Sequence, residues 1–225
     1  MLKIIRFSIF AFLLLSSLIL YECKKESKLP VDGDGNEYET VVIGTQVWLA
    51  ENLKTTKYNN GVSIPLVTDN NQWVSMSSAA FCWYGNSPDF KEDYGALYNW
   101  YAVKLPFLCP VGYHVPSREE WNILINYVGD LAGAKLKDRK IRFWWDYDDC
   151  ETNDFGFKAR AGGCRNFIDG YFGGIRKEGA WWSSTKSVYD GWIKGVSIQD
   201  DFCEIDKDLS IKLNGGASIR CIKNE

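Results

Sequence analysis

The stretch Cys109-Pro-Val-Gly-Tyr-His-Val-Pro-Ser-Arg-Glu-Glu-Trp121 constrains this chain more than any other. It reads as an extended segment running into a helix start. Ser117 and Glu120 form a capping box, in which each side chain reaches the other residue's backbone N–H. Trp121, Leu124, Ile125 and Val128 then follow the i, i+3, i+4, i+7 spacing of a core-facing stripe. Gly129 supplies the stop. Whatever the fold is, a helix starting at Ser117 buries that stripe.

The rest of the chain must supply what the stripe packs against. Thr40–Ile43 and Gln46–Leu49 are β-rich runs around Gly44-Thr45, which predicts a hairpin. Residues 54–92 show no sustained periodicity and read as loop with short strands. Tyr94 to Val103 is predicted as a short helix with Leu97, Trp100 and Tyr101 on one face. After Lys137 the pattern breaks into Gly- and aromatic-rich pieces. Phe155–Phe157, Ala180–Trp182, Gly191–Ile198 and Ser218–Ile222 are candidate strands. The order is an N-terminal β-hairpin, two helices, then short antiparallel strands with long irregular loops, an α+β pattern.

The first 22 residues read as a targeting segment. Lys3 and Arg6 precede an apolar run from Phe7 to Leu20, shorter than the ~20 residues of a membrane span. Cys23 follows and is the expected lipid-attachment residue, with residues 23–36 as attachment point and polar tether. Residues 37–225 are then one domain, long enough to bury a sizeable core. The net charge of −3 makes no electrostatic case for nucleic acid. If Cys23 carries lipid, six of the seven cysteines remain. That even set suits disulfides in an oxidising compartment.

Several motifs bear on chemistry. Asp32, Asp34 and Asn36 match the start of an EF-hand loop, but Glu37 and Ile43 break it, leaving a turn. His114 is the one histidine, so any Ser-His or Cys-His nucleophile would need it. With no base–orienter pair to name, it reads as structural. Asp146, Asp148, Asp149, Glu151 and Asp154 form one acidic cluster. Asp200, Asp201, Glu204, Asp206 and Asp208 form another. Either could offer oxygen ligands to Ca²⁺ or a carboxylate pair for glycoside hydrolysis, although a solvated loop explains both. No catalytic residue, resident metal or other cofactor is expected. Trp144-Trp145 and Trp181-Trp182 are adjacent pairs whose members face opposite sides of a strand. Trp144 and Trp145, with Asp146, Asp148 and Asp149, are the expected ligand-binding residues, because an exposed Trp can stack on a sugar or anchor a protein.

Asp34 to Leu53, Tyr94 to Trp100, the Cys109 to Trp121 stretch, Asn153 to Phe157, Gly162-Gly163 with Arg165, Gly179 to Thr185 and Ile219 to Lys223 together resemble the Fibrobacter succinogenes major paralogous domain. The resemblance implies a C-type-lectin-like fold, more distantly similar to formylglycine-generating enzymes. It also implies an exported protein of the Bacteroidetes and Fibrobacteres kind, many of which carry lipoprotein signals. It implies a disulfide between Cys109 and Cys221. The pairing of Cys82, Cys150, Cys164 and Cys203 stays open among three arrangements. Residues 139–152 look like an insertion. The resulting expectation is a lipid-anchored envelope protein, outer-membrane attached, that binds a glycan or protein without catalysis. Alternatives are a divergent oxidase or hydrolase, with Cys203 and Cys221 as the nearest cysteine pair, and a structural or adhesin subunit. The ligand surface is expected between Lys137 and Asp208, where loops ride on a rigid scaffold.

Overall fold

The computed structural model describes residues 29–140, 142–145 and 151–225. The expected targeting segment, Cys23 and the expected tether up to residue 28 lie outside these, as do Asp146, Asp148, Asp149 and Cys150. Eleven strands and five α-helical segments are described, with most strand pairs antiparallel.

Strands β1 (Thr40–Ile43) and β2 (Gln46–Leu49) form the hairpin, with Ile43 opposite Gln46. Gly44 makes its turn at φ 62°, and a Cβ there would meet the Tyr127 ring at 2.9 Å. Glycine therefore serves both the backbone conformation and the close approach. The last strand, β11 (Ile222–Lys223), lies between β2 and β5 (Tyr113–His114). The C-terminus thus stitches the hairpin to the middle of the chain, and the Cys109–Cys221 disulfide locks it there.

Two β-strands, β3 (Phe81–Cys82) and β4 (Leu97–Tyr98), pair with each other. A larger sheet runs β10-β9-β8-β6-β7. Its members are β6 (Gly162–Arg165), β7 (Phe172–Ile175), β8 (Glu178–Lys186), β9 (Trp192–Gln199) and β10 (Ser210–Lys212). Strands β6 and β8 are its one parallel pair among the described residues.

The helices are α1 (Asn70–Ser75), α2 (Lys91–Tyr94), α3 (Trp100–Val103), α4 (Arg118–Val128) and α5 (Ala132–Leu136). Helix α4 has the full capping box at Ser117 and Glu120, and Gly129 is its C-cap at φ 73°. The helix expected over Tyr94–Val103 is instead split. Gly95, at φ 75°, ends α2; Leu97 and Tyr98 extend into β4; only the last turn is helical. Asn99 restarts it, accepting from Ala102 N. Phe155–Phe157 forms a turn rather than a strand, with Gly156 N donating to Asn153 O. From Ser218 to Ile222 only Ile222 lies in a strand. The Asp32–Asn36 segment is a turn in which Asp32 accepts from the backbone N–H groups of Asp34 and Asn36.

Adjacent tryptophans divide the interior. Trp182 enters a core with Tyr98, Trp100, Cys109 and Cys221. Trp181 enters another with Trp48, Trp121, Trp144 and Phe157. Opposite-facing neighbours on β8 therefore nail one sheet between two aromatic cores. Two buried arginines tie irregular segments to these cores. Arg220 donates to Asn52 Oδ1 at 2.9 Å and Leu49 O at 3.2 Å, and lies 4.3 Å from the Phe157 ring centroid. Arg165 donates to Gly170 O, Val67 O and Asn70 Oδ1, and lies over Trp73. Each guanidinium satisfies several carbonyls that loops would otherwise bury unpaired.

Candidate functional site

A cleft of about 680 Å³ opens between α3 with its following loop, and the far end of β8 with the turn into β9. That volume falls in the roughly 300–1,000 Å³ range of small-ligand pockets. Its floor is Trp100, packed 5.9 Å from Trp182. Asn99 fixes that floor by capping α3 and accepting from Ala80 N. The Cys109–Cys221 bridge fixes the far end of the same segment.

The opposite wall depends on an irregularity. Strand β8 shifts register against β9 between Trp182 and Lys186. Such bulges re-aim side chains beside functional sites. Here the shift is held from two sides. Ser184 N donates to Pro116 O, and the Ser183 hydroxyl donates to Lys194 O. The turn that follows closes with Ser187 N donating to Trp192 O and Trp192 N to Tyr189 O. Gly191, at φ 74°, allows that reversal. Tyr189 is left 69% exposed, on the rim. Leu213 couples the two walls: its N–H donates to Gly191 O, and its carbonyl accepts from Trp100 N.

His114 sits on the same rim. Its Nε2 lies 2.8 Å from Glu120 Oε1, and its Nδ1 2.8 Å from Asn224 Oδ1. Glu120 is shared with the helix cap, accepting from Ser117 N and Oγ. Burial alone would raise the Glu120 carboxyl, but the Ser117 and His114 hydrogen bonds outweigh it and hold it below the ordinary carboxylate value. His114 is therefore a half-exposed, hydrogen-bonded link between β5, α4 and the C-terminal residues, more open than a packed histidine.

The tryptophans expected to carry a ligand separate. Trp144 is fully buried, its Nε1 donating to Ala159 O and its ring under the Lys137 ammonium at 4.8 Å. It is core and cannot contact a ligand. Trp145 is 60% exposed, with Arg176 and Lys177 at 5.1 and 5.6 Å from its ring centroid. It borders a shallower hollow of about 440 Å³ with Glu178, Asp200 and Asp201. Burial, with Asp206 nearby, pushes the Glu178 carboxyl up. The rest of the second acidic cluster is spread out. Asp208 pairs with Arg118 at 2.6 Å, and Glu204 accepts from Leu131 N. Among the described residues no group of three or more His, Cys, Asp or Glu is placed to hold a metal ion.

The cysteines separate as well. Cys221 is bonded to Cys109, and Cys203 is also disulfide-bonded. Neither can serve as a thiol. Cys82 and Cys164 are unbridged. Burial pushes Cys82 up to about 12 and Cys164 up to about 11, so neither is an activated thiolate.

The surface expected to bind a ligand, between Lys137 and Asp208, takes in only one wall of this cleft. Trp100 and Tyr101 come from the segment expected to be a short helix, and Lys104 follows it. Tyr189 and Trp192 lie within the expected half, but nothing in a single sequence marks the bulge that aims them. The Tyr189-Asp190-Gly191 turn was the usable signal. Among the described residues no helix is long and apolar enough to cross a membrane. No curated protein and no solved structure matches the chain. The family model described as the Fibrobacter succinogenes major domain matches residues 41–223, from the first strand to the last, and the chain belongs to that family.

Proposed function

We propose that this protein is an exported, lipid-anchored envelope protein whose C-type-lectin-like domain binds a glycan in the Trp100–Tyr189 cleft. The aromatic cleft is the observation that carries the reading. Its walls are held by a disulfide, a capped helix and backbone hydrogen bonds, so the site is preformed. Aromatic faces at Tyr101, Tyr189 and Trp192 suit the C–H faces of sugar rings, and the Ser184 and Ser187 hydroxyls can meet sugar hydroxyls. The lone histidine is engaged with Glu120 and Asn224, and the two cysteines nearest to an oxidase pair are both bridged. These features favour recognition over catalysis. The apolar h-region and Cys23 support export and lipid attachment.

Glycan and protein arrays probed with the full chain in detergent test the reading. Binding to glycans that falls at least tenfold in Tyr189→Ala and Trp192→Ala supports it. Absence of binding, alongside oxidation or hydrolysis of a substrate by the purified protein, would overturn it.

A further inference from the structure

We infer that the cleft selects an acidic glycan, one whose sugar rings carry carboxylate or sulfate groups. This rests on the glycan reading above and adds the charge of the ligand. The protein is acidic overall, with net charge −3. The cleft reverses that sign. Lys104 and Lys186 both line it, and Asp190 is the one carboxylate in its lining among the described residues. A third ammonium stands beside it: Lys212 Nζ lies 4.7 Å from the Trp192 ring centroid, and a Cβ on cleft-lining Gly191 would meet it at 3.5 Å.

Two of these three cations lie over rings rather than against carboxylates. Lys104 Nζ lies 5.2 Å from the Tyr101 ring centroid. Lys212 stands in the same relation to Trp192. None of the three ammonium groups makes an ion pair within 4 Å among the described residues, whereas Lys54, Lys137 and Lys158 each do. An aromatic face partly desolvates an ammonium without neutralising it. Its charge then stays available to an anion beside the ring. A sugar stacked on Tyr101 or Trp192 would bring its own carboxylate or sulfate next to that ammonium. The same ring therefore recognises the sugar face, and the same lysine its charge. An acidic peptide could meet the lysines, but extended side chains make poorer use of flat ring faces than pyranose rings do. Opposite charge would also speed encounter and make binding fall with salt.

The test uses the full chain in detergent and four probes: polygalacturonate, its methyl ester, a neutral glucan and polyaspartate. The methyl ester keeps the sugar and removes the charge. Polygalacturonate is expected to bind at least fivefold tighter than its ester, and the advantage should shrink between 50 and 300 mM salt. The double variant Lys104→Gln, Lys186→Gln should lose about tenfold on polygalacturonate and change little on the ester. Both side chains are exposed, so the variant should fold, and an intact Cys109–Cys221 bridge by peptide mapping checks this. Equal binding of acid and ester, or of the glucan, overturns the charge inference and leaves the glycan reading standing. Lysine-dependent binding of polyaspartate as tight as polygalacturonate overturns the sugar assignment. Binding to none of the four overturns both.

Discussion

Trp181 and Trp182 are neighbours in the chain and belong to different cores. Trp181 Nε1 donates to Asn52 Oδ1 at 2.8 Å, and Trp182 Nε1 donates to Tyr98 O at 2.8 Å. Each indole fills its own aromatic cluster, and each satisfies its one polar atom there. Strand β8, which carries both, is thereby fixed against both cores. Trp181→Ala and Trp182→Ala should each cost about 3–5 kcal/mol, read by urea unfolding. The second should also disturb the cleft, because Trp182 supports Trp100 at its floor. Loss of stability with unchanged ligand affinity in Trp182→Ala would separate core from site and contradict that coupling.

The disulfide closes a loop between residues 112 apart in the chain. In the chain-entropy account such a bridge contributes about 4–5 kcal/mol by restricting the unfolded state. Cys221→Ser, or reduction, should lower the thermal midpoint by about 8–20 °C for a domain of this size. It should also weaken ligand binding, since Cys109 borders the cleft. A midpoint unchanged by reductant would show that the packing of β11 alone holds the C-terminus.

Glu120 makes the fold acid-sensitive. Its carboxyl is held below the ordinary value of 4.5 by Ser117 and His114. A depressed folded value stabilises the protein above the unfolded value and loses that stabilisation as pH falls through the folded one. Unfolding measured from pH 7 to pH 3 should therefore show stability falling below about pH 4.5. Glu120→Ala should cost about 1–2 kcal/mol at pH 7, from loss of the capping box, and should flatten that acid limb. Parallel acid limbs in wild type and variant would assign the effect to another carboxylate.

Two thiols should persist in the folded protein. Cys82 is buried and Cys164 partly so, and burial raises both far above neutral pH. At pH 8 a thiol reagent should label neither quickly in the native protein and both after unfolding. Rapid native labelling of Cys82 would contradict its place in the core.

Much of the scaffold was legible in the residues, and for physical reasons. The capping box, the helical stripe to Val128 and the hairpin around Gly44 are local signals, and each forms where the pattern puts it. The Tyr94–Val103 helix failed because a positive-φ glycine and a capping asparagine override apolar spacing. Arg165 and Arg220 look like surface residues in a sequence, yet both are buried by carbonyls that only the assembled loops bring together. The cleft was the least legible part. Trp100, His114, Tyr189 and Leu213 converge from separate segments, and the β8 register shift that aims one wall depends on a distant strand. Adjacent Trp144 and Trp145 imply one core ring and one exposed ring, but only the packing of Lys137 and Ala159 around Trp144 tells which is which.

In the proposed complex the ligand lies against Trp100 and Trp192 rather than against Trp145. Titration of ¹⁵N-labelled full chain with oligogalacturonate, followed through the tryptophan indole N–H signals, tests this directly. The Trp192 and Trp100 signals should move, while those of Trp48, Trp121 and Trp145 stay in place. Movement of Trp145, with Trp100 and Trp192 unchanged, would put the ligand in the hollow beside Asp200 and contradict the account.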